Sequence, residues 1–95
     1  MDQAWGTVLD VYDGDTFHLD ISSVRKGNTH PYKDVERVRL RSVHAPELHD
    51  PGGRAARDRL RRQIAGRRVR IDVYARDTYG RLLAEVDPNP TWSTR

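Results

Sequence analysis

A chain of 95 residues, 36% apolar and 33% charged, is long enough for one folded domain and too short for two. At this length only somewhat more than about 60% of the unfolded surface is buried. The absence of cysteine excludes disulfides and thiolate metal sites and leaves the redox compartment open. No basic segment leading into an apolar run of signal-peptide length follows Met1, and no apolar stretch approaches the roughly 20 residues that cross a bilayer. A soluble chain without membrane contact is expected, cytoplasmic as given and secreted if it is an excised mature domain.

The net charge of +3 hides an uneven distribution. Met1 to Val24 contains Asp2, Asp10, Asp13, Asp15 and Asp20 with no Lys or Arg, whereas Gly53 to Ile71 carries eight arginines against the single acid Asp58. An acidic patch suits a divalent cation, and guanidinium groups match phosphate oxygens in pairs and concentrate polyanions.

The elements follow in chain order. Trp5, Thr7, Leu9 and Val11 alternate with Gly6, Val8, Asp10 and Tyr12, and Phe17, Leu19 and Ile21 alternate with Thr16, His18 and Asp20, which predicts two strands. Asp13-Gly14-Asp15 between them reads as a tight turn, with Gly14 free to take a positive φ. Ser22 to Lys33, with Gly27, Asn28 and Pro31, breaks the alternation and reads as an exposed loop.

Val35 to Val43 is a third predicted strand, with Val38 and Leu40 on one face and Arg37, Arg39 and Arg41 on the other, ending near Ala45-Pro46. Past the loop at 49–53, Ala56, Leu60 and Ile64 recur every fourth residue, as an amphipathic helix requires, and Gly66 stops it. Val69, Ile71 and Val73 alternate with Arg68, Arg70 and Asp72, and a turn at Asp77-Thr78-Tyr79-Gly80 leads into a last strand from Leu82 to Val86. The resulting order β-β-β-α-β-β in a mainly β chain with one helix is that of a five-stranded OB-fold barrel. It spans residues 1–86, with a polar, Pro-containing tail at 87–95.

Three short blocks in this order resemble the motifs of the staphylococcal nuclease (thermonuclease-like) family. They are Asp13-Gly14-Asp15-Thr16-Phe17, Arg37-Val38-Arg39-Leu40 running to Ala45-Pro46-Glu47, and Asp77-Thr78-Tyr79-Gly80-Arg81-Leu82-Leu83-Ala84. The resemblance implies a Ca²⁺-dependent phosphodiesterase that hydrolyses DNA or RNA with little sequence preference and leaves 3′-phosphates. It makes Asp15 a Ca²⁺ ligand, joined by the backbone carbonyl of Ala45, and a hard cation suits such oxygen donors. It makes Arg39 and Arg81 the pair that clamps the scissile phosphate, and Glu47 the carboxylate that directs the attacking water. Tyr79 matches a tyrosine that contacts a nucleotide phosphate, and Thr78 stands where a lysine is usual, which should weaken binding.

At His44 the family's usual Val-Asp-x-Pro-Glu becomes Val43-His44-Ala45-Pro46-Glu47. Imidazole is a poor partner for Ca²⁺ and a good one for Mn²⁺ or Zn²⁺. The site is therefore weakened toward Ca²⁺, changed in metal preference, or not catalytic. A second departure is length, since the family's C-terminal helices are missing after the fifth strand. A monomer, or weak self-association through the uncovered barrel end, is expected. The competing reading is a catalytically silent OB module that binds single-stranded DNA or RNA, or another protein.

Overall fold

The computed structural model describes residues 1–90. Trp92 and the rest of the expected tail past Pro90 lie outside the described residues. Six elements follow in order: β1 (Asp2–Asp13), β2 (Thr16–Val24), β3 (Val35–Leu40), α1 (Gly53–Ile64), β4 (Arg68–Arg76) and β5 (Leu82–Asp87). The strands close into one barrel in the order β1-β2-β3-β5-β4. The five-stranded OB-type barrel expected from the sequence is the observed fold.

Every strand pair is antiparallel except β3 with β5. That parallel joint follows from connectivity: β4 runs beside β1, the turn at 77–80 reverses the chain, and β5 returns along β3. Phe17, Leu19, Val38, Ile71 and Leu82 fill the barrel and are fully buried. Their alternation with polar neighbours is what makes these segments strands, because each pleat sends successive side chains to opposite faces.

The phase of β1 differs from the sequence expectation. Ala4 and Val8 face inward, as does Val11, because the register with β2 shifts between Val8 and Val11. This irregularity, a β-bulge in effect, switches the inward face. Leu9, grouped with Val11 by simple alternation, is instead 44% exposed. The bulge also receives the end of the helix: Gly66 N–H donates to Val8 O at 3.0 Å and Val8 N–H to Arg67 O at 2.9 Å. Helix α1 itself buries Leu60 and Ile64, the predicted apolar stripe, against the open end of the barrel.

Strand β3 ends at Leu40, not at Val43. Leu40 N–H turns to Asp15 O (2.7 Å) and Arg41 N–H to Ala84 O (2.8 Å), and beyond them the backbone leaves the sheet. Gly14 differs as well. Its φ is not positive; a Cβ there would lie 2.5 Å from Ala45 Cβ and 2.7 Å from Ala56 Cβ. Glycine is needed for close packing of the turn under α1, not for turn handedness.

The segment 22–33 is not a plain exposed loop. Strand β2 continues to Val24, and the chain then folds back so that Asp2 is wrapped by three residues. Its carboxylate accepts hydrogen bonds from Thr29 N–H (2.8 Å), His30 N–H (2.9 Å) and Tyr32 O–H (2.7 Å). Beside it Glu36, 2% exposed, forms a two-pronged pair with Arg76, both N···O distances being 3.0 Å. Glu36 shares the inward face of β3 with Val38 and Leu40, so this end of the barrel is closed by charge pairing rather than by a helix.

Burial works to raise the Asp2 and Glu36 carboxyls, but their hydrogen bonds win and hold both below the usual carboxylate range. A carboxyl lowered on folding stabilises the fold above its ordinary value, 3.8 for Asp2, and that contribution drains away as the pH falls below it. Asp2→Asn is expected to lose about 1.5–3 kcal/mol at pH 7, the range for hydrogen bonds to a charged group. The variant should also lose stability less steeply than the parent between pH 4 and pH 2, checked by urea melts across that range.

Candidate active site

Two elements meet at the α1 end of the barrel, the β1–β2 turn and the end of β3 with the loop that follows, and the start of β5 lies farther along the sheet beside β3. Asp15 leaves the turn immediately before Thr16, and Thr16 pairs in register with Arg39. That register sets Asp15 beside Arg39, whose Nη2 lies 3.5 Å from Asp15 Oδ2. Ala45 N–H donates to the same Oδ2 at 3.3 Å, and Thr16 O–H donates to Oδ1 at 3.0 Å. Arg39 Nη1 in turn donates to Val43 O at 2.9 Å and to Leu40 O. Asp15, Arg39 and Ala45 therefore form one contact group.

Asp13 completes the acidic side. Its Oδ1 accepts from Asp15 N–H at 3.1 Å, and the two residues are 8% and 7% exposed. Burial, and then the neighbouring Asp15, push the Asp13 carboxyl above its usual range. Two neighbouring buried acids with one guanidinium set against Asp15 leave more acid than base here, which suits a hard, oxygen-liganded divalent cation. Among the described residues no group of three or more His, Cys, Asp or Glu side chains is arranged to hold a metal ion. Any cation here would need carbonyl and water ligands beside Asp15.

Arg81 lies just before β5, two residues ahead of Leu83, the register partner of Arg39. Strand alternation puts it on the sheet face of Arg39, roughly 7 Å along the strand direction and about 5 Å across. Its Nε donates to Asp77 Oδ2 at 2.8 Å, and its backbone N–H donates to Asp77 Oδ1 at 2.9 Å. Burial tends to raise the Asp77 carboxyl, but these bonds, with that from Tyr79 N–H, hold it below its usual range. Tyr79 is 80% exposed, with the Arg81 guanidinium 5.3 Å from its ring centroid. Thr78 occupies the same exposed turn.

Glu47 and His44 are exposed on the loop after β3. Neither is in the Asp15–Arg39 contact group. His44 instead borders a cavity of about 260 Å³ with Gly14, Pro46 and Arg59. The Glu47 backbone is nonetheless fixed: Glu47 O accepts from Asp50 N–H at 2.9 Å and packs directly against Gly53 at the start of α1, where a Cβ would collide with it.

The family model described as "Staphylococcal nuclease homologue" matches residues 37–93, well over half of the chain. The chain belongs to the staphylococcal nuclease family. It is similar to an uncharacterized endonuclease of Escherichia coli, 35% identical over 81 residues, which cover 85% of this chain and 46% of that protein. A probable staphylococcal-like nuclease of Oryza sativa subsp. japonica is 42% identical over 50 residues, 53% of this chain and 13% of that protein. A probable endonuclease of Yarrowia lipolytica is 33% identical over 98 aligned residues, 83% of this chain and 43% of that protein. The chain thus spans less than half the length of these nuclease-family relatives.

Among the residues of interest, Asp77, Asp13 and Arg59 were read from the sequence only as members of a turn, an acidic patch and a cationic block, with no individual site role. Asp77 carried a signal, since Asx turns place an acid two residues before the N–H it accepts. Arg59 carried no signal apart from the other arginines of its block, because only the packed helix shows which of them borders the loop.

The two glycines in contact with this loop give a direct test. Gly53→Ala should cost about 1–3 kcal/mol, the range for overpacking, and should shift the amide resonances of Glu47 and Leu48 in a ¹⁵N correlation spectrum while leaving those of β4 in place. Gly14→Ala should cost a similar amount and perturb Ala45 instead.

Proposed function

We propose that this domain is a metal-dependent phosphodiesterase acting on nucleic acid, with its centre at Asp15, Arg39, Glu47 and Arg81. The observation that carries the reading is the single contact group of Asp15, Arg39 and Ala45, with Arg81 on the same sheet face one pleat period away. Ca²⁺ is the cation of first choice, with Mn²⁺ or Zn²⁺ favoured if His44 joins the site. Asp15 and the carbonyl of Ala45 would hold it, and when bound it would supply Lewis-acid polarisation of the phosphoryl group.

The chain's own residues supply the rest. Arg39 and Arg81 present two planar forks to the non-bridging phosphate oxygens and offset charge that grows as water attacks. Arg39 is held ready by the Val43 and Leu40 carbonyls, and Arg81 by Asp77. Glu47, exposed on its fixed loop, accepts the proton of the attacking water at its carboxylate as the new P–O bond forms and the bond to the leaving 5′-oxygen breaks. The exposed Tyr79 and Thr78 flank this path and contact the adjoining nucleotide. A single strand fits an open site with one exposed aromatic better than a duplex does.

His44, standing where the family's usual acid would be, favours a second reading, a nucleic-acid-binding module without turnover. Incubation with single-stranded DNA and RNA in Ca²⁺, Mn²⁺, Zn²⁺ or EDTA decides between them. Metal-dependent cutting that Glu47→Gln and Arg81→Ala each reduce by about 10²–10³ is expected; salt-sensitive binding without cutting in any metal would establish the module instead. His44→Asp should raise Ca²⁺-dependent cutting and tighten Ca²⁺ binding by calorimetry. Weaker Ca²⁺ binding in that variant would remove His44 from the metal site.

A further inference from the structure

Helix α1 carries Arg54, Arg57, Arg59, Arg61 and Arg62 against one acid, Asp58. Asp58 lies 3.2 Å from Arg57 and 3.9 Å from Arg61. Among the described residues that leaves Arg54, Arg59 and Arg62, all exposed, without an acidic partner. Of the three, helix stability rewards only Arg62, in the last turn, where the dipole favours a cation. Arg54 sits in a first turn that has no acidic residue, where the helix dipole disfavours a cation, and like charges three apart, Arg59 and Arg62, repel.

The placement of these cations has one common feature: each walls a concavity bordering the loop at 43–50. Arg54 lines a cleft of about 610 Å³ with His49 and Asp50. Arg59 lines the cavity of about 260 Å³ that His44 and Ala45 also border. Arg62 lines a trough of about 630 Å³ with Arg41 and Val43. From Arg54 to Arg62 the helix rises about 12 Å, long enough to run beside more than one phosphate of a strand.

We propose that the outward arginine face of α1, through Arg54, Arg59 and Arg62, is a second phosphate-binding surface that grips the polynucleotide flanking the Asp15–Arg39 site. The surface takes the sugar-phosphate backbone without reading bases, so it extends the substrate from one phosphodiester to a strand of several nucleotides. It rests on the proposed function for the class of ligand and for the neighbouring Asp15–Arg39 site.

The test is binding without turnover. A labelled 12-nucleotide oligothymidylate is titrated in EDTA, by fluorescence anisotropy, at several salt concentrations. The probes are the 95-residue chain, the triple variant Arg54→Gln, Arg59→Gln, Arg62→Gln, and a control triple in the β2–β3 connection, Arg25→Gln, Lys26→Gln, Lys33→Gln, which removes the same charge. Glutamine keeps helix propensity, and matched thermal melts verify folding.

The helix triple is expected to bind about 10–100-fold more weakly, and its slope of log K against log salt should be shallower by about 2, from three contacts at about 0.7 each. The control should stay within about threefold of the parent. Parent-like binding by the helix triple, equal losses in both triples, or binding to anionic vesicles but not to the oligonucleotide would each overturn the proposal. A chain that grips the strand through α1 yet cuts it in no metal would support this surface and refute the phosphodiesterase. Cutting by a helix triple with parent-like affinity would do the reverse.

Discussion

Asp15 is the residue on which the site is strung. Its carbonyl accepts the N–H of Leu40 and its carboxylate accepts the N–H of Ala45 while lying against Arg39. One residue of the first turn thereby fixes where the third strand stops and where the following loop begins. The acid can do this because it is almost wholly buried; in a low-dielectric setting an unpaired carboxylate would be costly, so each oxygen is committed to a donor. The same burial strengthens its attraction to a neighbouring cation such as the Arg39 guanidinium.

Around that residue the barrel supplies distance control. Small side chains at Gly14, Ala45 and Ala56 let the turn, the loop and the helix touch at backbone range, and Gly53 does the same for the Glu47 carbonyl. The far end of the barrel is held differently. Asp2 with Tyr32, and Glu36 with Arg76, bind the 29–33 segment to β1, β3 and β4 through hydrogen bonds to charged groups. Arg76 also donates to Gly80 O at 2.9 Å, so this polar seal reaches the turn that carries Tyr79 and leads into Arg81.

Much of this was legible from the residues. Alternation gave the strands, the fourfold recurrence of Ala56, Leu60 and Ile64 gave the helix face, and three short blocks pointed to the family that the comparison with known proteins shows. Of the residues those blocks singled out, Asp15 and Arg39 lie against each other. What escaped the sequence depends on packing across long separations. The bulge that turns Leu9 outward has no local signature, and the role of Gly14 arises only when Ala56 arrives from the helix. Glu36 was readable in principle, since it shares a face with Val38 and Leu40, but an acid on a core face makes sense only once Arg76 is seen opposite. Glu47 and His44 were read from a motif, and their exposure and the cavity beside His44 belong to the folded loop alone.

The parallel joint between β3 and β5 has a consequence for timing. Arg39 and Arg81 become neighbours only when residues 38–40 meet 82–84, a closure across more than forty positions that carries the loop entropy of a non-local contact. A ribosome-bound chain that has emerged only as far as the helix holds Asp15 and Arg39 but has no strand to bring the second guanidinium. Arg39 and Arg81 therefore come to one sheet face only after β5 is released and docked against β3.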